Sequence, residues 1–262
     1  MRIEQITKTL EEFAPLALQE DFDNSGLQVG DVSQTLQGIL LCLDVTQEVI
    51  DEAIELDCNL IISHHPLLFR PLRTLTGQTY IERCVMKACK NDLVIYAAHT
   101  NLDNAYEGVN FYLAEKIGLQ NIRFLKPIYQ NENVIGGSGA IGELVAPEDE
   151  EFFLERIKDI FQLKSLKHSS FTGKMIQEVA LCGGSGSFLI PNALEAGADV
   201  FLTGEARYNN YYDVEDRLLL AVLGHYETEH YTKELFFDII SKKIPNFAIH
   251  FSNVNTNPVN YM

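Results

Sequence analysis

Two similar α/β domains, each a parallel-rich sheet flanked by helices, are what three features of this sequence predict. Short apolar runs alternate with segments of helical periodicity. Polar tips, several carrying histidine, follow the apolar runs. A strand–helix–strand stretch of the first half recurs in the second. Regular alternation of strand and helix signals is the mark of parallel α/β architecture.

Residues 3–14 place Ile3, Ile6, Leu10 and Phe13 on one helical face. A polar, turn-rich stretch, EDFDNSGLQVG, fills residues 20–30, and its glycines Gly26 and Gly30 read as turn residues. The run GILLCLD at 38–44 reads as a buried strand. Val49, Ile50, Ala53, Ile54 and Leu56 then fall at helical spacing behind Thr46, a suitable N-cap. A second strand within NLIISHHPLLF ends in a histidine pair. Residues 79–90 are helical in pattern, and NDLVIYAAHTNLD adds a third strand with another polar tip.

From Lys126 the texture changes. Pro127, the polar residues 130–133 and the glycines Gly136, Gly137 and Gly139 predict a domain boundary. Beyond it, residues 147–161 form a helix with acidic residues in the first turn, which favours that end of the helix dipole. EVALCGG and ADVFLTGE read as strands, with a helical stretch FLIPNALEAG between them. RLLLAVLGHYETE is a further strand with a polar end, TKELFFDIISKKI a helix, and NFAIHFS a last strand.

The chain has 262 residues, 46% hydrophobic and 22% charged, as expected of a folded protein with a substantial core. No apolar run is long enough for a bilayer, and acidic residues occupy the N-terminal stretch where a signal peptide needs apolar ones; a cytoplasmic location with no membrane partner is expected. Five cysteines, an odd number without a Cys-x-x-Cys pair, argue against a disulfide framework or a thiolate metal site. The net charge of −17 and the lack of a basic cluster argue against duplex nucleic acid as a partner. A bound cation reverses the local field of one pocket, so a small nucleotide stays among the candidate substrates.

The recurrence is gapless at an offset of 140 residues: the segment from Cys42 to His65 lies over the segment from Cys182 to Glu205. Leu60–Ser63 falls on Val200–Thr203. After a small change of offset His99 falls on His225 and Asp103 on Glu229, so each third strand ends in His-x-x-x-(Asp/Glu). Any two strand–helix–strand units share apolar strands, so the repeated His and carboxylate carry the comparison. In open parallel sheets ligands bind at the carboxyl ends of strands, where all these tips lie.

Six candidate metal-site residues emerge: His64, His65, His99, Asp103, His225 and Glu229. Adjacent histidines face one centre only where a strand ends, and Pro66 fits a chain leaving the strand. Imidazole with carboxylate suits Zn²⁺, Fe²⁺ or Mn²⁺, and six donors match the needs of two ions. Each residue also has a structural reading: His99 as a core histidine bonded to backbone, Asp103 as the N-cap of the helix that follows, Glu229 as a cap or surface pair. Ser185 in GGSGS lacks the full Gly-x-Ser-x-Gly pattern of a nucleophile elbow.

The motifs DNSGLQVG, ISHHPLLF, AAHTNLD, the TGE tip at Thr203 and GHYETE occur in an order that resembles the Nif-three-like dinuclear metal-centre family, whose bacterial members are labelled GTP cyclohydrolase I type 2 homologues. The resemblance covers nearly the whole chain. It implies a first domain of residues 1–126 with 230–262, a second of 127–229, and a homohexameric ring. It implies two divalent metal ions (Zn, Fe or Mn) held by His64, His65, Asp103, His225 and Glu229, with His99 beside them as the catalytic candidate for proton transfer. The expected function is a dinuclear metal-dependent hydrolase, GTP cyclohydrolase-like, acting on a purine nucleotide. The alternative is a non-catalytic metal-binding ring with a regulatory or partner-binding role.

Overall fold

The computed structural model describes residues 1–262. It divides into two compact units, Met1–Leu102 with His230–Asn260, and Asp103–Glu229 with Tyr261–Met262. In chain order the first unit supplies α1 (Ile3–Phe13), β1 (Gly26–Val29), β2 (Ile39–Cys42), α2 (Gln47–Glu55), β3 (Leu60–Ser63), α3 (Tyr80–Lys90) and β4 (Val94–Ala97). A one-turn helix, α4 (Thr100–Asp103), leads into the second unit. That unit holds α5 (Val109–Ile117), β5 (Gln120–Gln130), β6 (Asn133–Asp149), α6 (Glu150–Phe161), β7 (Lys167–His168) and β8 (Met175–Cys182). It continues with α7 (Ile190–Glu195), β9 (Val200–Thr203), α8 (Asn210–Asp213), β10 (Leu219–Val222) and α9 (His225–Glu229). The chain then completes the first unit with α10 (Thr232–Lys243) and β11 (Ile249–Phe251).

The first sheet runs β1-β4-β3-β2-β11. Its pairs β11–β2, β2–β3 and β3–β4 are parallel, and β1 joins the edge antiparallel to β4. Every residue of β2, β3 and β4 is buried, which requires cover on both faces and explains their continuous apolar character. Leu40, Cys42, Ile61 and Ile95 pack with Val49, Ile50 and Ala53 of α2 and with Cys84, Val85 and Ala88 of α3. The alternating residues Ile39, Leu41, Leu60 and Ile62 point to the opposite face and are fully buried there. The Thr46 side chain accepts from the Val49 amide, the predicted cap of α2. The stretch read as turn residues at 20–30 contains β1, with Gly26 at its start and Gly30 just past its end.

The second sheet runs β5-β6-β8-β9-β10-β7. Its parallel heart is β8–β9–β10; β5–β6, β6–β8 and β10–β7 are antiparallel. Ala180, Cys182, Phe201, Leu220 and Val222 pack with Leu189, Ile190 and Ala193 of α7 and its entry turn. Asp149 caps α6, accepting from the amides of Glu151 and Phe152. Residues 130–139, which read as a boundary, belong to a long antiparallel hairpin instead. Gly137 is small there because a Cβ would stand 2.7 Å from the Lys126 carbonyl and from the Phe124 ring: the glycine serves close strand approach, not a linker. Lys126 lies inside β5, and α5 ahead of it packs on β5 and β6.

Candidate metal centre

In the first unit the strand ends are level. Cys42 pairs with Ser63 and Ser63 with Ala97, so the chain leaves β2, β3 and β4 at one edge. The ladder runs on past the strands: the His64 amide donates to Cys42 O, the His65 amide to Leu43 O and the Ala98 amide to Ser63 O. The Ser63 hydroxyl donates to His65 O at 2.8 Å and tightens the turn out of β3. That break in the strand's alternation brings adjacent histidines together. The ring centroids of His64 and His65 lie 5.1 Å apart, and those of His64 and His99 5.2 Å apart. The ligand atoms of His64, His65 and His99 all fall within 4.8 Å of one another.

Each ring is held from behind at Nδ1. His64 Nδ1 meets Ala98 O at 2.9 Å, His65 Nδ1 meets Asp44 Oδ1 at 2.7 Å, and His99 Nδ1 meets Asp23 Oδ1 at 2.7 Å. A carbonyl or carboxylate only accepts, so Nδ1 carries the proton and a neutral ring keeps the Nε2 lone pair for a metal. Asp23 comes from the loop before β1. Its second oxygen accepts from the Thr100 amide (3.0 Å), the Thr100 hydroxyl (2.5 Å) and the Ser25 hydroxyl (2.9 Å). Burial alone would raise its pKa; the His99 bond and charge and the Thr100 and Asn24 bonds outweigh it and hold the carboxyl well below the ordinary range. Asp44 is also lowered: burial opposes ionisation, and His65, with the Thr256 hydroxyl at 2.7 Å, overcomes it.

In the second unit β8, β9 and β10 end in register in the same way, Cys182 beside Thr203 and Thr203 beside Val222. One turn of α9 carries both His225 and Glu229, with His225 Nε2 2.9 Å from Glu229 Oε2. Residues four apart on a helix share a face, which is the physical content of the His-x-x-x-Glu spacing. His225 Nδ1 meets Glu205 Oε1 at 2.9 Å, and Ser185 Oγ donates to Glu205 Oε2 at 2.8 Å. Ser185 thus steadies the carboxylate that steadies His225. Gly184, at φ +56°, lies against the buried Glu229: a Cβ there would run into Glu229 Oε1. The Gly184 amide donates to Thr228 Oγ1 in α9 at 3.0 Å, fixing loop to helix.

The predicted residues thus resolve as follows. His64, His65 and His99 are gathered in the first unit, and His225 with Glu229 in the second. His99 bonds a carboxylate rather than only backbone, and Glu229 is buried rather than a surface pair. Asp103 closes α4, half-buried, and does not cap α5, whose N-cap is Gly108. The buried Asn110 side chain donates to Asp103 O at 3.1 Å and accepts from the Gly183 amide at 3.0 Å. Asp23, Asp44, Glu205 and Asn110 are the residues that sequence reasoning passed over. Asp44 and Glu205 lie within or beside the polar tips, which is the signal that marks them; Asp23 lies in the turn-rich stretch before β1.

Imidazole nitrogens backed by carboxylates, with a buried Glu beside a fourth imidazole, form a donor chemistry that fits divalent transition metals; a thiolate-poor set of this kind suits Zn²⁺, Fe²⁺ or Mn²⁺. Fold and donors together define an α/β protein with side-chain clusters able to hold metal at the carboxyl ends of its parallel strands. The chain belongs to the Duf34/NIF3 (NGG1p interacting factor 3) family, whose model matches residues 1–258. It is 32% identical over 259 residues to the GTP cyclohydrolase 1 type 2 homolog of Clostridium acetobutylicum, covering 98% of this chain and 94% of that one. Among solved structures it is similar to a Bacillus cereus protein related to NIF3, with TM-score 0.89 and 26% identity over 100% of this chain and 99% of that one. It is likewise similar to Staphylococcus aureus protein SA1388, with TM-score 0.90 and 28% identity at the same coverage. No helix is long and apolar enough to cross a membrane.

Proposed function

We propose that this protein is a dinuclear metal-dependent hydrolase in which His64, His65, Asp103, His225 and Glu229 are the ligands and His99 moves the proton. The observation that carries the reading is the backing of each imidazole at Nδ1, which commits Nε2 to a metal or to a reacting proton. When bound, two divalent ions supply activation of a water and polarisation of the bond under attack. His99 then accepts and returns a proton at Nε2. Asp23, ionised and buried behind His99, keeps the ring oriented through both transfers. The names of the relatives as GTP cyclohydrolase 1 type 2 homologs support a purine nucleotide as substrate.

The expected metal content of purified protein is two divalent ions per chain by elemental analysis, and one or fewer in the His225→Ala/Glu229→Ala double variant. Metal-loaded protein incubated with GTP is expected to release formate. Absence of formate, where a working cyclohydrolase produces it, removes GTP as substrate and leaves the metal centre standing. His99 admits a second role, because the ligand atoms of His64, His65 and His99 all lie within 4.8 Å of one another. His99→Ala decides: metal retained with turnover lost supports proton transfer, and metal lost makes His99 a ligand. Metal at full occupancy with no turnover on any nucleotide favours the non-catalytic metal-binding alternative. A homohexamer, implied by the family resemblance, and a cytoplasmic location, expected from the sequence, are tested by light scattering and by fractionation.

A further inference from the structure

The second unit contains a cavity of about 620 Å³ that the metal donors do not line. Its walls come from the loops that leave β8 and β9 and from the end of β10 and the edge strand β7: Ser185, Ser187 and Phe188, then Glu205 and Arg207, then Val222 beside Lys167. The volume is that of a small-molecule site, in the place where open α/β sheets bind ligands.

Charge makes this cavity unusual for the chain. Acidic residues outnumber basic ones 37 to 20. Here Lys167 and Arg207 line one space, and neither makes an ion pair or a side-chain hydrogen bond within the protein. The one carboxylate in the wall is Glu205, and both its oxygens are engaged, Oε1 by His225 Nδ1 and Oε2 by the Ser185 hydroxyl. Two uncommitted cations therefore share the cavity with a single carboxylate that is turned to other partners. The Ser187 hydroxyl and the side chain of Asn210 add neutral polar groups, and the exposed ring of Phe188 adds an apolar wall. An ammonium and a guanidinium lining one cavity match a phosphoryl group, which Arg engages through its planar fork and Lys as a point charge.

We propose that this cavity is a subsite for the phosphoryl group of a phosphorylated small molecule, held by Lys167 and Arg207, with its organic remainder against Phe188. The Glu205–His225 contact joins the subsite to a metal donor, so the bound molecule is a substrate of the hydrolase proposed above; only that last clause rests on the hydrolase reading. The subsite itself stands on the cavity and its cations.

The test is calorimetric titration of the full-length protein, as purified and with its metal content measured, with GMP, ribose 5-phosphate, inorganic phosphate and guanosine. The three phosphate-bearing probes are expected to compete for one site, with GMP binding at least about tenfold tighter than guanosine, the gain of a charge-assisted contact. Arg207→Gln and Lys167→Gln are each expected to weaken GMP about tenfold, and the double variant to bind GMP no better than guanosine, with metal content unchanged. Both residues are exposed, so the variants should fold, and thermal unfolding verifies it. GMP binding no tighter than guanosine in the parent protein, or a double variant that binds GMP like the parent, overturns the subsite. A parent protein devoid of metal that still shows the phosphate preference overturns the hydrolase reading alone.

Discussion

The two halves of this molecule solve one problem differently. Both build a parallel β-α-β-α-β frame whose strand ends are level, β2-β3-β4 in one and β8-β9-β10 in the other. The position after β3 held by His65 corresponds to Glu205 after β9. In the first unit that position presents an imidazole, steadied by Asp44. In the second it presents the carboxylate that steadies another imidazole, His225. The Asp44 position corresponds to Gly184, where there is no side chain at all because Glu229 occupies the space. After the third strand the first unit goes from Ala98 straight to His99, while the second inserts Gly224 between Leu223 and His225. That extra residue lets α9 begin at the histidine and puts Glu229 one turn on. Duplicated frames thus keep the location of the chemistry and exchange the roles of donor and support.

The sharpest way to break this comparison is to remove a supporting charge from each half. The Asp23 side chain is 0% exposed and accepts five hydrogen bonds, whereas the Glu205 side chain is 58% exposed. Asp23→Asn puts an NH2 among donors and leaves buried groups unsatisfied. The expected loss is about 3 kcal/mol of stability, with turnover lost and metal retained, because His99 is not among the proposed ligands. Glu205 backs the proposed ligand His225; Glu205→Gln keeps an acceptor and admits water, so metal affinity should fall about tenfold with the melting temperature unchanged. Chelator competition and thermal unfolding measure both. Equal losses of stability in the two variants would mean that burial does not separate the two supports, and loss of metal in Asp23→Asn would make His99 a ligand.

Much of this was open to reading in the sequence. The strands β2, β3, β4, β9 and β10 are continuous apolar runs, which only two-sided burial produces, and Thr46 caps α2 as its position demands. The histidine tips were visible because strand ends are where a parallel sheet exposes chemistry. The supports were not, because which carboxylate meets which imidazole is decided by contacts far apart in sequence, 76 residues for Asp23 with His99. The β5–β6 hairpin was also hidden. The buried middle of β6 is rich in Gly, Ser and Ala, so it lacks the apolar alternation that marks a strand, and its glycines imitate a linker.

A smaller effect is expected at Gly184, where the second unit needs the absence of a side chain. Gly184→Ala places a Cβ in a left-handed backbone conformation, costing about 1–2 kcal/mol, and pushes on Glu229 Oε1. Because Glu229 is buried and held beside His225, it has little room to yield. The melting temperature should fall by several degrees, and metal affinity should drop several-fold with it. If affinity stays at the parent value while stability falls, the glycine serves the loop alone and the exchange of Asp44 for Gly184 has no bearing on the donors.

The smallest difference lies in how the two crossover helices start. α2 is nine residues long and begins with a side-chain cap, Thr46 Oγ1 accepting from the Val49 amide at 3.3 Å. α7 is six residues long, has no side-chain cap, and is entered through the fully buried Leu189 with a proline in its first turn. The first helix is therefore fixed by a hydrogen bond and the second by burial. Thr46→Ala should cost about 1 kcal/mol, the ordinary value of a lost N-cap. It should raise amide exchange at Gln47–Val49 without changing metal content, since Thr46 is not among the side chains that hold the histidines. A melting temperature and exchange pattern indistinguishable from the parent would show that burial of Val49 and Ile50 fixes the start of α2 as burial fixes α7, and that the two halves differ only at their strand tips.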